Sequence, residues 1–262
     1  MSGPPSEPLT KTVLARVPYL NCAPFFHGLS LEGSWELENL PPRQFGLEAE
    51  AGRIAAGPMS LMDYFRLQDR FERLGNFGIA VRGRSGSALL FSRKPLRQLD
   101  GATIAVTQDT STTVMLLRLL LEVRYELVPQ TYQRGTSEDA DAVLLIGDEA
   151  LAFRATTRRY PYETDLSFEW WLWQHLPFVF AVWAVRKDGD PADKQLLSRE
   201  LLRAFGLNSR RLDVLAAERV SALGRSAEEL TEYLEHFVYR FSQPEEDGIR
   251  AFSKLVHEHR LL

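Results

Sequence analysis

The stretch VLARVPYLNCAPFF, Val13 to Phe26, decides the reading of this chain, because it runs a buried strand straight into polar, turn-forming residues. Val13 to Val17 read as a short strand, and Pro18, which has no N–H to give a ladder, ends its pairing. Asn21 then stands among apolar neighbours before Pro24. An amide left unpaired in such surroundings costs free energy. Asn21 therefore either caps the helix that follows or meets a ligand at the strand's C-terminal edge.

The same strand-to-helix edge recurs along the chain. Ala55 to Pro58 read as the end of a small-residue strand, followed by a helix with Ser60 as N-cap. Thr103 to Thr107 form an apolar strand that feeds TQDTSTTVMLLRLLLEV, a helix running to about Val123. Thr110, Ser111, Thr112 and Thr113 sit where the unpaired N–H groups and the helix dipole suit a carboxylate or a phosphate, although capping alone requires only one hydroxyl. Asp141 to Ile146 form a further strand, ending at Gly147 and Asp148, and Asp148 reads equally as an N-cap. Between Val81 and Ala88, the run Arg82 to Ser87 is either a hairpin or bulged strand, or a loop whose N–H groups and hydroxyls receive an anion. In an open α/β sheet such strand ends converge on one crevice. Hydroxyls, amides and N–H groups without an obvious lysine or glutamate suggest a receptor for a small carboxylate, or an enzyme whose substrate supplies part of the reactivity.

The remaining elements follow from period and punctuation. Helices are expected over Ala23 to Leu29 and Arg43 to Arg53, and strands over Trp35 to Leu40, Tyr125 to Pro129 and Phe178 to Val185. Trp170, Trp171 and Trp173 form an aromatic cluster that is either core or the wall of a planar ligand site. Beyond Arg186 the pattern is all helix. Asp190 and Pro191 open one helix, Gly206 and Gly224 close two, Ser226–Glu229 is a capping box, and Pro244 opens an amphipathic last helix with Ile249, Phe252, Leu255 and Val256 on one face. Residues 1–11, rich in Pro, Ser and Gly, read as a loose tail.

Composition narrows the function. At 262 residues and 45% hydrophobic, the chain can bury a core as one large domain or as two lobes. The net charge is −4 and the 31 Lys and Arg are scattered, which argues against nucleic acid as a partner. One cysteine, Cys22, rules out an internal disulfide and any multi-cysteine metal site. His27, His175 and His236 are isolated, while His257 and His259 diverge on a helix, so no metal site is expected. No G-x-G-x-x-G, P-loop, H-E-x-x-H or G-x-S-x-G is present, and no cofactor is expected. MSGPPSEPLTKT lacks a basic region followed by an apolar run, and no apolar segment reaches the roughly 18 residues of a membrane span. The expectation is a cytoplasmic protein, monomer or homodimer, without a membrane partner.

Five ordered runs resemble the chorismate dehydratase family of the futalosine route to menaquinone: RVPYLN at 16–21, LLFS at 89–92, LLIGD at 144–148, YPY at 160–162 and LPFVFA at 176–181. The similarity spans about Thr12 to Arg186. It implies a two-lobed α/β fold of the type II periplasmic-binding-protein class, with hinged mixed sheets and a helical C-terminal segment packed on the first lobe. Lobe 1 would comprise 12–90 and 185–262 and lobe 2 would comprise 91–184, with Ala88 to Ser92 and Phe178 to Arg186 as hinge strands. The family's reaction removes water from chorismate to give 3-[(1-carboxyvinyl)oxy]benzoate, and it implies Asn21 and Ser87 as catalytic residues. The expected substrate-binding set is Tyr19, Ser60, Thr110, Ser111, Thr112, Gly147, Asp148 and Phe178. The sister enzyme that forms dihydroxynaphthoate is similar in fold but opens with a different asparagine motif, and the run Tyr19 to Asn21 favours the dehydratase. The chain departs from the family's usual pattern at Pro18, Cys22, Gln174, His175 and the loop from Arg82 to Gly86.

Overall fold

The computed structural model describes residues 12–31, 35–135 and 139–261; the tail expected over 1–11 lies outside the described residues. The strands in chain order are β1 (Thr12–Arg16), β2 (Trp35–Asn39), β3 (Ala56–Ser60), β4 (Phe71–Val81), β5 (Ala88–Ser92), β6 (Thr103–Val106), β7 (Thr131–Arg134), β8 (Ala142–Ile146), β9 (Tyr162–Asp165), β10 (Phe178–Arg186) and β11 (Phe237–Arg240). They form a six-stranded sheet in the order β11-β4-β10-β3-β1-β2 and a five-stranded sheet in the order β7-β6-β8-β5-β9. Both sheets are mixed. β1 runs parallel to β2 and β3, while β10 is antiparallel to β3 and β4. In the second sheet β6 is parallel to β7 and β8, and β5 is antiparallel to β8 and β9.

Each sheet holds its position through helices that bury apolar faces against it. Phe25, from the short helix Ala23–Phe26, is fully buried and meets the rings of Phe77, Trp183, Phe205 and Tyr239 at centroid distances of 5.4–5.9 Å. The edge-to-face contacts with Phe77, Trp183 and Tyr239 add to the area each ring removes from water. Leu197 and Leu201 of the helix Pro191–Asn208 join the same core, so the C-terminal segment packs against the first sheet. Trp170 is fully buried against Phe178 and Phe252, which assigns the centre of the tryptophan cluster to core.

Four local expectations change. Tyr125 to Pro129 is not a strand: the preceding helix runs on as π-helix over Leu119–Arg124, and Glu126 turns the chain with φ +56. The N–H of Leu127 then bonds back to the Leu121 carbonyl at 2.8 Å, so pairing begins only at β7. The region beyond Arg186 is not all helix, because β11 adds to the edge of the first sheet against β4. Gly206 lies inside the helix Pro191–Asn208 rather than at its end. The segments expected as hinge strands, Ala88–Ser92 and Phe178–Arg186, each lie wholly within one sheet.

The chain crosses between the sheets through residues 82–87 and again through 166–177. Asp165 ties the two crossings together. One of its oxygens accepts the N–H groups of Ser85 and Gly86 at 2.9 and 2.8 Å. The other caps the helix Leu166–Gln174 through the N–H groups of Ser167 and Phe168, both at 3.1 Å. The Arg82–Ser87 loop thus does receive an anion, and it is the protein's own.

Candidate active site

The polar strand ends converge on one cavity. Tyr19, Asn21, Ser60, Ser87, Thr110, Ser111, Thr112 and Gly147 line it, with apolar walls from Val17, Pro58, Ile79, Ile146, Phe180 and Phe237 among others. About 590 Å³ of space lies between these atoms, part of it open to solvent. Two expected residues lie outside this lining. Phe178 is buried 5.6 Å from Trp170 and 5.2 Å from Phe252 by ring centroids. The ladder between β10 and β4 shifts register between Val179 and Ala181, and this irregularity turns the next aromatic, Phe180, to the cavity instead. Asp148 is taken up by the protein: it accepts the Leu20 N–H at 2.8 Å and pairs with Arg219.

Asp148 works on the cavity indirectly. Its bond to Leu20 fixes the 3₁₀ turn Leu20–Cys22, which carries Asn21, onto the start of the helix Gly147–Thr156. Burial pushes the Asp148 carboxyl up, and the Leu20 N–H and Arg219 only partly offset this. Gly147 has φ +55, and a Cβ there would lie 2.6 Å from the Tyr19 ring, so this contact between the two sides of the cleft requires glycine. Tyr19 donates to Asp109 at 3.4 Å, and burial together with the neighbouring carboxylates of Asp109, Glu149 and Asp148 raises its phenol so that it stays neutral. Cys22 is likewise held as a neutral thiol, chiefly by burial.

Hydrogen bonding sorts the hydroxyls into donors and acceptors. Thr112 accepts the Met62 N–H at 3.0 Å from across the cleft, and Thr110 accepts the Thr113 N–H at 3.1 Å. With each oxygen accepting from backbone, the hydroxyl proton remains to be given to a ligand. Ser111 forms no side-chain cap bond and adds a third hydroxyl at this helix end. Ser60 is the opposite case: it caps its helix through the Asp63 N–H and gives its own proton to the Asp63 carboxylate at 2.6 Å. Ser60 can accept from a ligand, and its proton is unavailable to a carboxylate.

Asn21 completes the arrangement. Its Oδ1 is buried with no hydrogen-bond partner among the described residues, and the residue lines the cavity. His27 does not line this cavity; its ring lies 3.6 Å from Glu218 on another face. Among the described residues no three His, Cys, Asp or Glu side chains are grouped to hold a metal ion. The cavity therefore offers hydroxyl donors and a helix N-terminus at one place, an unsatisfied carbonyl at another, and apolar walls between them. It suits a ligand with an apolar body, a carboxylate and a hydroxyl.

The fold is that of the periplasmic binding proteins. The chain superposes on protein AF1704 from Archaeoglobus fulgidus with TM-score 0.76 at 18% identity, covering 97% of this chain and 99% of that one. It superposes on the MOPS-bound alkanesulfonate-binding protein SsuA from Xanthomonas axonopodis pv. citri with TM-score 0.69 at 14% identity, covering 98% and 95%. Within that class the chain belongs to the menaquinone biosynthesis family, whose model matches residues 12–258. It is 33% identical to the chorismate dehydratase of Thermus thermophilus over 93% of this chain and 94% of that protein.

Several lining residues lay outside the expected set, among them Phe180, Phe237 and Pro42. Phe180 was masked by the register shift, and Phe237 lies on the short strand β11 that read as helix. Pro42, at the start of the helix Pro42–Glu50, carries no signal beyond its fit to a first helical turn.

Proposed function

We propose that this chain is a cytoplasmic chorismate dehydratase, a carbon–oxygen lyase that converts chorismate to 3-[(1-carboxyvinyl)oxy]benzoate and water on the futalosine route to menaquinone. The observation that carries the reading is a single cavity lined by Asn21, whose carbonyl has no partner among the described residues, together with the hydroxyls of Thr110, Ser111 and Thr112. Chorismate has the matching groups: an apolar ring face, a ring carboxylate, a second carboxylate and a hydroxyl at C4. The relationship to the Thermus thermophilus enzyme supports the same assignment.

The chemistry follows from these groups. The C3 hydrogen is vinylogously activated by the ring carboxylate, so its removal places charge on an extended enolate. Thr110, Ser111, Thr112 and the helix N-terminus bind that carboxylate and stabilise the developing charge. The substrate's enolpyruvyl carboxylate takes the C3 proton. Expulsion of the C4 hydroxyl as water, after it recovers a proton, then makes the ring aromatic. Asn21 accepts from the C4 hydroxyl and orients the C3–C4 edge, while Ser87 donates to the leaving oxygen or to the second carboxylate. Tyr19, Phe180 and Phe237 enclose the ring, and the two sheets with their helices act as lobes around it.

The test is incubation of purified protein with chorismate and mass detection of a product lighter by one water, alongside Asn21→Ala. Product from the unmodified chain that is lost in the variant supports the assignment. Saturable binding without product would make the chain a carboxylate receptor of this fold.

A further inference from the structure

The cavity reaches back to a group outside its lining. Tyr233, from the capped helix Ala227–Glu235, is buried, and its hydroxyl lies 2.9 Å from the Ser87 hydroxyl. The ring is held on both sides: Phe237 packs edge-on at 5.1 Å, and the Gly86 backbone approaches it closely enough that a Cβ there would lie 3.5 Å away. The helix itself is fixed by its Ser226–Glu229 capping box and by Leu230 and Leu234 in the core of the first sheet.

The direction of this hydrogen bond follows from elimination. Tyr233 carries one proton, and burial holds its phenol neutral. Ser87 is the partner found for that hydroxyl among the described residues. If Ser87 were the donor, the tyrosine proton would be buried without an acceptor, at a cost that the reverse arrangement avoids. In the arrangement that leaves the tyrosine proton paired, Tyr233 donates and Ser87 accepts. The serine proton is then free, and Ser87 lines the cavity.

We propose that Tyr233 is a positioning residue for the reaction: by donating to Ser87 it fixes the serine oxygen and leaves the serine proton for the substrate. The proposal rests on the dehydratase reading and assigns the donor at the leaving hydroxyl or second carboxylate to a tyrosine-serine pair. Thr110 and Thr112 use backbone N–H groups for the same purpose; Ser87 uses a side chain from the C-terminal segment.

The experiment is a double-mutant cycle of Tyr233→Phe and Ser87→Ala, read as kcat and KM for chorismate with circular dichroism of each variant. Tyr233→Phe keeps the ring and removes only the hydroxyl. It should lower kcat about tenfold with KM nearly unchanged, part of the roughly 100-fold that loss of a preorganised donor itself costs. In the Ser87→Ala background the same change should cost nothing further. Unchanged kcat in Tyr233→Phe, or an equal loss in both backgrounds, would overturn the role. A second readout needs neither turnover nor the phenylalanine variant. In protein labelled with ¹³C at the tyrosine Cζ, the Tyr233 resonance should shift on adding chorismate, and the shift should vanish in Ser87→Ala. A resonance indifferent to chorismate or to Ser87 overturns the proposal, whereas absence of product from an unmodified chain that shows the shift counts against the dehydratase reading alone.

Discussion

Gly147 and Tyr19 face each other across the cleft so closely that a Cβ on residue 147 would lie 2.6 Å from the tyrosine ring. Gly147 opens the helix after β8, and Tyr19 precedes the turn that holds Asn21. Gly147→Ala must therefore strain the φ +55 backbone or push the turn away. The expected loss of stability is about 1–3 kcal/mol, measured by urea unfolding. Chorismate affinity should fall by more than this stability change predicts, because the displaced turn carries Asn21. Unchanged affinity in titration calorimetry would show that the contact does not set the cleft.

Asn21→Asp tests the unsatisfied carbonyl without changing the size of the side chain. The carboxylate still accepts, but it adds a negative charge to a cavity proposed to hold an anionic substrate. Turnover should fall at least about 100-fold near pH 8 and recover in part toward about pH 5 as the introduced carboxyl protonates. A flat pH profile would remove charge as the reason for asparagine here.

Asp165→Asn addresses the junction between the sheets. The amide keeps the shape but can accept through only one atom, so the N–H groups of Ser85 and Gly86, or those of Ser167 and Phe168, lose their anion. A cost of about 3 kcal/mol is expected from the loss of several charge-assisted bonds. Equilibrium unfolding measures it. A cost below about 1 kcal/mol would mean that the crossings are held by their other contacts.

Glu245 gives the chain an acid limit. Its carboxylate is fully buried at the start of the helix Gln243–Glu258; burial raises its pKa, but Arg82 and the Ser242 bonds outweigh burial and hold it below its ordinary value. The folded state then binds this proton more weakly than the unfolded state. The resulting stabilisation is complete above the unfolded value and is lost as pH falls through the lower, folded value. Urea midpoints should therefore drop as pH falls below about 4.5, and Glu245→Gln should flatten that part of the profile while lowering stability at neutral pH. A variant with the unmodified slope would assign the acid sensitivity elsewhere.

The strand ends were legible because each one changes from apolar to polar within a few residues. Asn21, Ser87 and the hydroxyl run at 110–112 stood out on that ground, and they do share one cavity. The parts that escaped depend on tertiary geometry. Phe178 and Phe180 are alternate residues on a strand, and pleat alone puts both on one face; only the register shift in β10 separates core from cavity. Asp148 and Ser60 were visible as polar edge residues, but the partners that claim them, Leu20 with Arg219 and Asp63, were not. Tyr233 sits on an ordinary amphipathic helix some 146 residues from Ser87, with no local pattern to connect them.

The Asp165 bonds also set how the molecule can move. Two crossing segments anchored separately would let one sheet both swing and twist against the other. Anchored on a single carboxylate, they share one fixed point through which any relative motion of the sheets has to pass. Displacement then grows with distance from that point. Ser87, two residues along the chain from Ser85, lies close to that anchor, so a motion about it would displace Ser87 less than the far walls of the cavity.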